Sequence, residues 1–462
     1  MALGLAVICC LGSGYIVVTL GLPQSTPFIY QRMVRASLST GFGLGIFSVI
    51  FFLARVLGLS RVLAIDLVVL GLLTVALWWV RARSKPLIIR TLAEETIDLP
   101  RWLRRLLAVA FGSALAAALY SAILRSIVHP HGEGWDAFAI WNLHARFLFR
   151  GGEHWRDGLS PLIPWSHPDY PLLLPSAVAH FWSVLGQEST AVPAVIGLVF
   201  TFGTLGLLFS SLAILRGRTS AILAGLGLVS TPFFVEQGSS QYADVPLSFF
   251  FLAVIVLHLD GESRGDQSLY RGYGRLALAG IAAGLALWTK NEGMLFLVAC
   301  VVAQIVVRGP EWMNRLAFFI LAVAPFLMLV TWFKHSVAFP NELFSNQPKM
   351  LHKFLDSARY WAILKWFVRD FLRFGQWWPI PGTLLLALLY VVVAGKHNWQ
   401  NSQQFWTSAL TLALTLAGYF VIYVITPYDL DWHLRFSLNR LFLQLWPSTI
   451  FVFFLAIPAK VG

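Results

Sequence analysis

Apolar runs long enough to cross a lipid bilayer recur along this chain, and that recurrence decides what it can fold into. A helical crossing needs about 20 predominantly apolar residues, because a helix satisfies its own backbone hydrogen bonds in hydrocarbon. Thirteen stretches fit: 3–21, 40–58, 62–80, 106–125, 190–214, 219–234, 242–258, 275–289, 292–307, 315–333, 380–394, 405–425 and 441–457. With 58% hydrophobic and 12% charged residues over 462 positions, the sequence predicts an all-α polytopic membrane protein of about 13 spans and excludes a soluble one. Six spans beyond residue 215 have 17 residues or fewer, which predicts little tilt or a break near one face.

The net charge of +12 invites a nucleic-acid reading. The basic residues, however, sit in loops between spans, where the tendency of inner loops to be positive accounts for most of them, so no nucleic-acid partner is expected. About 18 of the 34 Lys and Arg fall in segments placed inside, among them Arg81, Arg83, Lys85, Arg90, Arg101, Arg104 and Arg105 in one loop. Trp102 among those arginines suits an amphipathic segment on the inner leaflet. Residues 1–22 carry no Lys or Arg, so they lack the basic start of a signal peptide and fit an outside N-terminus. Cys9, Cys10 and Cys300 all lie in apolar runs and read as small buried hydrophobes. Three parts follow: residues 1–105, N-terminal spans and a basic inner loop; 106–333, a core with a first exterior loop at 128–189; and 334–462, an exterior interfacial segment and the last spans.

The first exterior loop concentrates titratable groups as no other segment does: residues 129–170 hold five of the eleven histidines, five carboxylates and three arginines. Phe138, Trp141, Leu143, Phe147 and Leu148 recur at helical spacing between Trp135 and Phe149, which predicts a helix at the membrane surface with Asp136 at its start. Gly132 and Gly134 give a flexible entry, Gly151 and Gly152 an exit. Residues 171–186 are nearly apolar enough to cross, but a crossing there would invert the rest of the chain; a re-entrant or surface helix broken at Pro175 is expected. Asp66 and Arg55, near span ends, read as snorkelling side chains.

Later spans gather polar residues at their predicted outer ends. Span 219–234 leads into Glu236, Gln237, Gln241, Tyr242 and Asp244; span 275–289 into Lys290, Asn291 and Glu292; span 405–425 into TPYDLDWHLRFSLNR at 426–440. Ionisable groups near membrane depth are costly, so they face the protein interior or a wet cavity and mark a site. Segment 334–378 is basic and aromatic (Lys334, His335, Lys349, Lys353, Arg359, Lys365, Arg369, Arg373, with Trp361, Trp366, Trp377 and Trp378) at helical spacing, suiting interfacial helices.

GWDAF at 134–138, HPDYPLLLP at 167–175, QYADVPLSFF at 241–250 and LALWTKNEGMLF at 285–296 occur in an order that resembles the GT-C class of membrane glycosyltransferases, nearest the protein O-mannosyltransferase and lipid A aminoarabinose transferase group. The resemblance covers roughly residues 106–330. It implies an integral protein of a bacterial inner membrane that moves a sugar from a polyprenyl phosphate to a protein, lipid or glycan acceptor at the outer face. It further implies that Asp136 is the general base of an inverting transfer. A departing phosphate needs positive charge rather than a proton, so one carboxylate can suffice where glycosidases typically need two.

Each candidate carries a plainer alternative. Asp136 is either the base or a helix N-cap. Lys290 and Glu292 are donor phosphate or sugar contacts, or an internal ion pair. His433, Arg435 and Arg440 bind phosphate or snorkel. Tyr242 and Asp244 contact sugar or acceptor, or cap a helix. His167 and Asp169 bind acceptor or a divalent ion, or form a solvated loop pair. His129, His131 and Glu133 have a spacing a metal could use but form no closed zinc set, and incidental loop positions are the better reading. Family members differ in cation use; Ala137, rather than a second acid, follows Asp136, so a metal-independent reaction with no required cofactor is expected and a divalent cation is the alternative. A flippase of lipid-linked precursors would spread polar residues through both membrane halves and often show inverted repeats, and the sequence shows neither. A non-catalytic subunit of the same architecture is the third reading.

Overall fold

A computed structural model describes residues 1–22, 29–83, 97, 99–259, 269–309, 311–340, 352–376 and 403–456. These residues are helical apart from short connections, and no strand occurs among them. In chain order the helices are α1 (Ala2–Gly21), α2 (Ile29–Val56), α3 (Val62–Arg83), α4 (Arg101–Val128), α5 (Asn142–Arg150), α6 (Leu173–Leu185), α7 (Ala191–Arg216), α8 (Arg218–Val229), α9 (Pro232–Ser239), α10 (Asp244–Leu259), α11 (Leu269–Thr289), α12 (Glu292–Val306), α13 (Trp312–Ser336), α14 (Ser357–Arg373), α15 (Gln403–Ile425) and α16 (Leu430–Leu455). Eight of them are long and apolar enough to cross a membrane: α1 to α4, α7, α13, α15 and α16. The chain is an integral membrane protein.

The expected thirteen spans do not all appear. Span 219–234 is two helices, α8 and α9, meeting at 65° around Ser230 and Thr231, where Pro232 starts the second. Spans 242–258 and 292–307 are the short helices α10 and α12, of 16 and 15 residues. Span 380–394 lies outside the described residues, as do Lys85 and Arg90, Lys349, Trp377 and Trp378. Span 106–125 begins earlier, at Arg101, so Trp102, Arg104 and Arg105 are the first turn of α4 and not a separate segment on the leaflet.

Helix α10 is the central post. Every residue from Ala243 to Leu257 is buried, and a helix apolar all round has no solvent face to offer. It packs against α7, α11 and α16. Helices α1 and α2 approach closely because Gly14 and Gly43 lie where they meet; a Cβ on Gly14 would come within 2.0 Å of the Ser39 carbonyl oxygen.

Asp66 does not snorkel. It is 1% exposed, and its Oδ2 lies 2.9 Å from His180 Nε2 on α6, with the rings of Phe47 and Phe51 against the imidazole. Arg55 donates to the Gly152 carbonyl at 3.2 Å, tying α2 to the first exterior loop. Helix α6 is neither broken nor superficial. Pro175 sits in its first turn, where a missing N–H costs nothing, and Leu173 to Trp182 are buried between α2, α5 and α7. Trp135 to Phe149 also departs from a surface helix: residues 137–141 form a π-turn and α5 packs onto α6, so Trp141 and Leu148 are each 2% exposed while Phe138 stays outside.

Helix α14 matches the expected interfacial pattern. Asp356 caps it, accepting from the Ala358 and Arg359 amides at 3.0 and 3.3 Å, and Trp361, Leu364, Val368 and Phe371 are exposed. Arg359 donates to the Val424 and Tyr423 carbonyls at 2.8 and 3.0 Å, closing the C-terminus of α15 with a cation.

Candidate active site

Asp244, the first residue of α10, is fully buried, and its carboxylate gathers donors from two other segments. Arg440 donates from Nε to Oδ2 at 2.8 Å, with Nη2 also 2.8 Å from that oxygen. Lys290 Nζ lies 2.9 Å and Gln444 Nε2 2.6 Å from Oδ1. Arg440 and Gln444 are one turn apart on α16, so both reach the same partner. Lys290, in the connection between α11 and α12, also meets Glu292 Oε1 at 2.8 Å. Burial works to drive off its proton, but the two carboxylates outweigh it and raise the ammonium pKa. Lys290 and Glu292 are thus an internal ion pair, and Asp244 is the hub rather than a simple helix cap.

Arg440 carries the network outward. Its Nη1 donates to Asp136 Oδ2 at 2.6 Å, and its guanidinium lies 4.7 Å from the centre of the Tyr242 ring. Asp136 has helical backbone angles and its side chain caps nothing, so the capping alternative fails. Its side chain keeps 23% of its surface accessible, whereas that of Asp244 keeps none. Burial and the Asp136 charge push the Tyr242 phenol up to about 12. The loop that carries Asp136 is pinned beside α10: Asn142 Nδ2 donates to Gln241 Oε1 at 2.7 Å, and Gln241 Nε2 to the Pro130 carbonyl at 3.2 Å. Gly134, at φ 85°, takes a turn closed to side chains, and a Cβ there would lie 2.4 Å from the Tyr242 hydroxyl.

A second cluster adjoins this one through the neighbours Lys290 and Asn291. Asp169 Oδ2 accepts from Asn291 Nδ2 at 2.7 Å, and Lys334, near the end of α13, donates to Asn291 Oδ1 at 2.7 Å and to the Asp169 carbonyl. Lys334 Nζ is 3.5 Å from Asp169 Oδ2, the Glu292 charge also acts on it, and its side chain keeps 28% of its surface accessible. His167, in the left-handed region at φ 51°, stacks on Tyr170 at 4.6 Å, and Tyr170 on Trp141 at 5.6 Å. Burial raises the Tyr170 phenol well above its ordinary value, with Glu292, Asp169 and Asp136 adding to it. Behind that stack His144, 2% exposed, is pushed down to about 3 by burial and by the nearby His167.

The remaining candidates separate. His433 Nδ1 lies 2.8 Å from Thr426 Oγ1 among the rings of Tyr423, Tyr428 and Trp432. Arg435 is exposed on α16, away from the carboxylates that bind Arg440. Glu133 pairs with Arg125. No three His, Cys, Asp or Glu side chains gather to hold a metal ion among the described residues. Sequence reasoning missed Gln444 and the roles of Lys334 and Asn291. Gln444 was discoverable as a polar residue inside an apolar span, four positions after Arg440.

Fold and site define a polytopic helical membrane protein in which charged residues from distant segments meet at one end of the bundle, around a buried aspartate and a more accessible one. No family profile and no curated protein matches the chain. Two solved structures are similar in fold, both of ArnT from Cupriavidus metallidurans, a lipid A aminoarabinose transferase. One, bound to undecaprenyl phosphate, is 15% identical with a TM-score of 0.48 and is matched over 75% of this chain and 60% of its own. The other, in the apo state, is 14% identical with a TM-score of 0.46, over 76% and 61%. The chain thus spans about 60% of the length of these proteins. They belong to the group that the four sequence motifs resemble.

Proposed function

We propose that this protein is an inverting membrane glycosyltransferase that moves a sugar from a polyprenyl-phosphate carrier to an acceptor hydroxyl at the extracytoplasmic face, with Asp136 as general base. The observation that carries it is the placing of Asp136: one oxygen is fixed by Arg440 while the side chain remains accessible, at the edge of a buried network that holds Arg440 from behind. In this reading the acceptor oxygen attacks the anomeric carbon and gives its proton to Asp136; the bond from that carbon to the phosphate oxygen breaks, and polyprenyl phosphate leaves with the electron pair. Stabilising that anion requires a cation not already shared between carboxylates. Lys290 and Arg440 are each in ion-pair contact with two carboxylates, and Arg435 lies apart. Lys334, though the Asp169 and Glu292 charges both act on it, is in ion-pair contact with Asp169 alone among the described residues and keeps the most accessible side chain of the three paired cations, which supports it as the phosphate contact.

The test is transfer of labelled sugar from a polyprenyl-phosphate donor by protein reconstituted in vesicles. Asp136→Asn keeps the shape and a hydrogen bond but cannot take a proton, and loss of a positioned base costs about 10²–10⁴-fold in rate. Transfer by that variant at the wild-type rate would overturn the proposal.

A further inference from the structure

Helix α14 is sorted into three sectors around its axis. At about 100° per residue, Ile363, Phe367 and Asp370 share the inward side, where Phe367 meets the rings of Phe420, Tyr423 and Phe442. Trp361, Leu364, Val368, Phe371 and Leu372 fall within a second sector about 100° wide, and all five are exposed. Lys365, Arg369 and Arg373 follow one another at four-residue spacing along one margin of that apolar sector, between it and the inward side, and they are exposed too.

The protein leaves these three cations without a counter-charge in contact. Their neighbours are rings: Lys365 Nζ lies 5.5 Å from the centre of the Trp361 ring, and the Arg369 guanidinium 4.6 Å from that of Trp366. No carboxylate among the described residues is in ion-pair contact with any of the three. The acids on and beside α14 are committed elsewhere. Asp356 and Asp429 cap α14 and α16, and Asp431, exposed on α16, accepts from Trp366 Nε1 at 3.0 Å. Asp370 is buried, and the Arg369 and Arg373 charges act on it only through space. The two remaining cations of the segment, Lys353 and Arg359, donate to carbonyls at the C-terminus of α15 and so fix α14 at the end of the bundle that carries Asp136. Arg435, one turn beyond Asp431 on α16, is a further exposed cation.

An apolar stripe with unpaired cations along one margin matches one surrounding in both of its parts. Water would leave five large apolar side chains wet, whereas the boundary between acyl chains and headgroups offers hydrocarbon to the stripe and phosphate to the margin. We propose that α14 lies in the leaflet at the Asp136 end with its apolar sector among the acyl chains, and that Lys365, Arg369 and Arg373 form a binding edge that selects anionic phospholipid headgroups over zwitterionic ones. The apolar sector alone accepts any lipid; the cations supply the preference, about fivefold in local anionic lipid for each. This edge is separate from the phosphate contact assigned to Lys334 and does not depend on the transfer reaction.

A fluorophore attached at Val368→Cys, in the middle of the apolar sector, tests it in the full chain reconstituted into nanodiscs; Cys9, Cys10 and Cys300 are buried and stay unlabelled. The discs hold phosphatidylglycerol and phosphatidylcholine in equal fractions, and a nitroxide quencher sits near the carbonyl end of the acyl chain of one lipid or the other. Quenching by the labelled phosphatidylglycerol is expected to exceed that by the labelled phosphatidylcholine, corresponding to a local enrichment of about fivefold or more. In 1 M salt, where the Debye length falls to about 3 Å, the two should converge. The variant Lys365→Gln/Arg369→Gln/Arg373→Gln should be quenched equally by both lipids while keeping its unfolding midpoint, and Arg369→Lys/Arg373→Lys should keep the preference. The salt comparison is made with all three cations in place, so a variant that misfolds leaves the test intact. Equal quenching by the two lipids at low salt, or a preference that persists in 1 M salt or in the triple variant, would overturn the proposal. So would an absence of quenching by either lipid, the result expected if water, a second copy or another protein covers this face.

Discussion

Asp244→Asn separates the structural carboxylate from the chemical one. The side chain is fully buried and takes four contacts, from Arg440 Nε and Nη2, Lys290 and Gln444, at 2.6 to 2.9 Å. Removing one partner of a buried ion pair costs about 3–5 kcal/mol, because the opposite charge stays behind without compensation. Each cation keeps one carboxylate, Asp136 for Arg440 and Glu292 for Lys290, so the lower end, about 3 kcal/mol, is expected. For a chain of this size that is a fall in unfolding midpoint on the order of 5 °C. Asp136→Asn removes a partially accessible charge and leaves Arg440 on Asp244, so its midpoint should fall by less than half as much while transfer collapses. The double variant leaves Arg440 with no carboxylate among these contacts and should lose about 1–3 kcal/mol more than the sum of the singles. The assay is thermal unfolding in detergent at one fixed scan rate, beside the vesicle transfer assay. Additive losses, or a larger fall for Asp136→Asn than for Asp244→Asn, would refute the assignment of Asp244 as hub.

Lys334→Ala should raise the KM for the polyprenyl donor about 10–100-fold, the worth of a charge-assisted hydrogen bond, with a smaller change in kcat; an unchanged KM removes it from the phosphate site. Asp66→Asn should lower the unfolding midpoint by several degrees, since it breaks a buried pair with His180, whereas a snorkelling aspartate would tolerate it. His144 titrates at about 3 in the fold and near 6.5 unfolded, so below pH 6.5 the unfolded chain takes up a proton the fold refuses and stability falls with acid. At pH 5 the loss is about 2 kcal/mol, and His144→Gln should flatten that part of the midpoint-against-pH curve.

The ends of the helices were more legible than their middles. Asp136, Tyr242, Asp244, Lys290, Glu292 and Arg440 announced themselves because charge beside an apolar run is expensive, and the structure brings these six into one network. Arg435 carried the same signal and lies apart, because five residues separate it from Arg440 on a helix and so turn it to another face. The buried Asp66–His180 pair spans 114 positions, a separation that no local pattern encodes. Pro175 was misread for a related reason: a proline breaks or begins a helix according to where the helix starts, and only packing against α2 and α5 fixed that start. Residues 137–141 kept helical spacing in their apolar groups while adopting a π-turn, a register change that periodicity does not register.

The brevity that made spans 242–258 and 292–307 ambiguous also shapes the site. Helices of 16 and 15 residues rise about 24 and 22 Å, less than a hydrocarbon core of about 30 Å, so neither is long enough to carry its polar end, at Asp244 or at Glu292, clear of such a core by itself. Buried as Asp244 and Lys290 are, their ionic contacts are strengthened by low dielectric. Lengthening α12 by one turn just after Glu292 would lift that carboxylate about 5 Å and separate it from Lys290 and Gln444. Insertion of four alanines there should therefore abolish transfer and lower the unfolding midpoint, whereas the same insertion in the α7–α8 connection at Gly217, at the other end of the bundle, should spare transfer. Equal tolerance at both places would mean that helix length does not set the depth of the site.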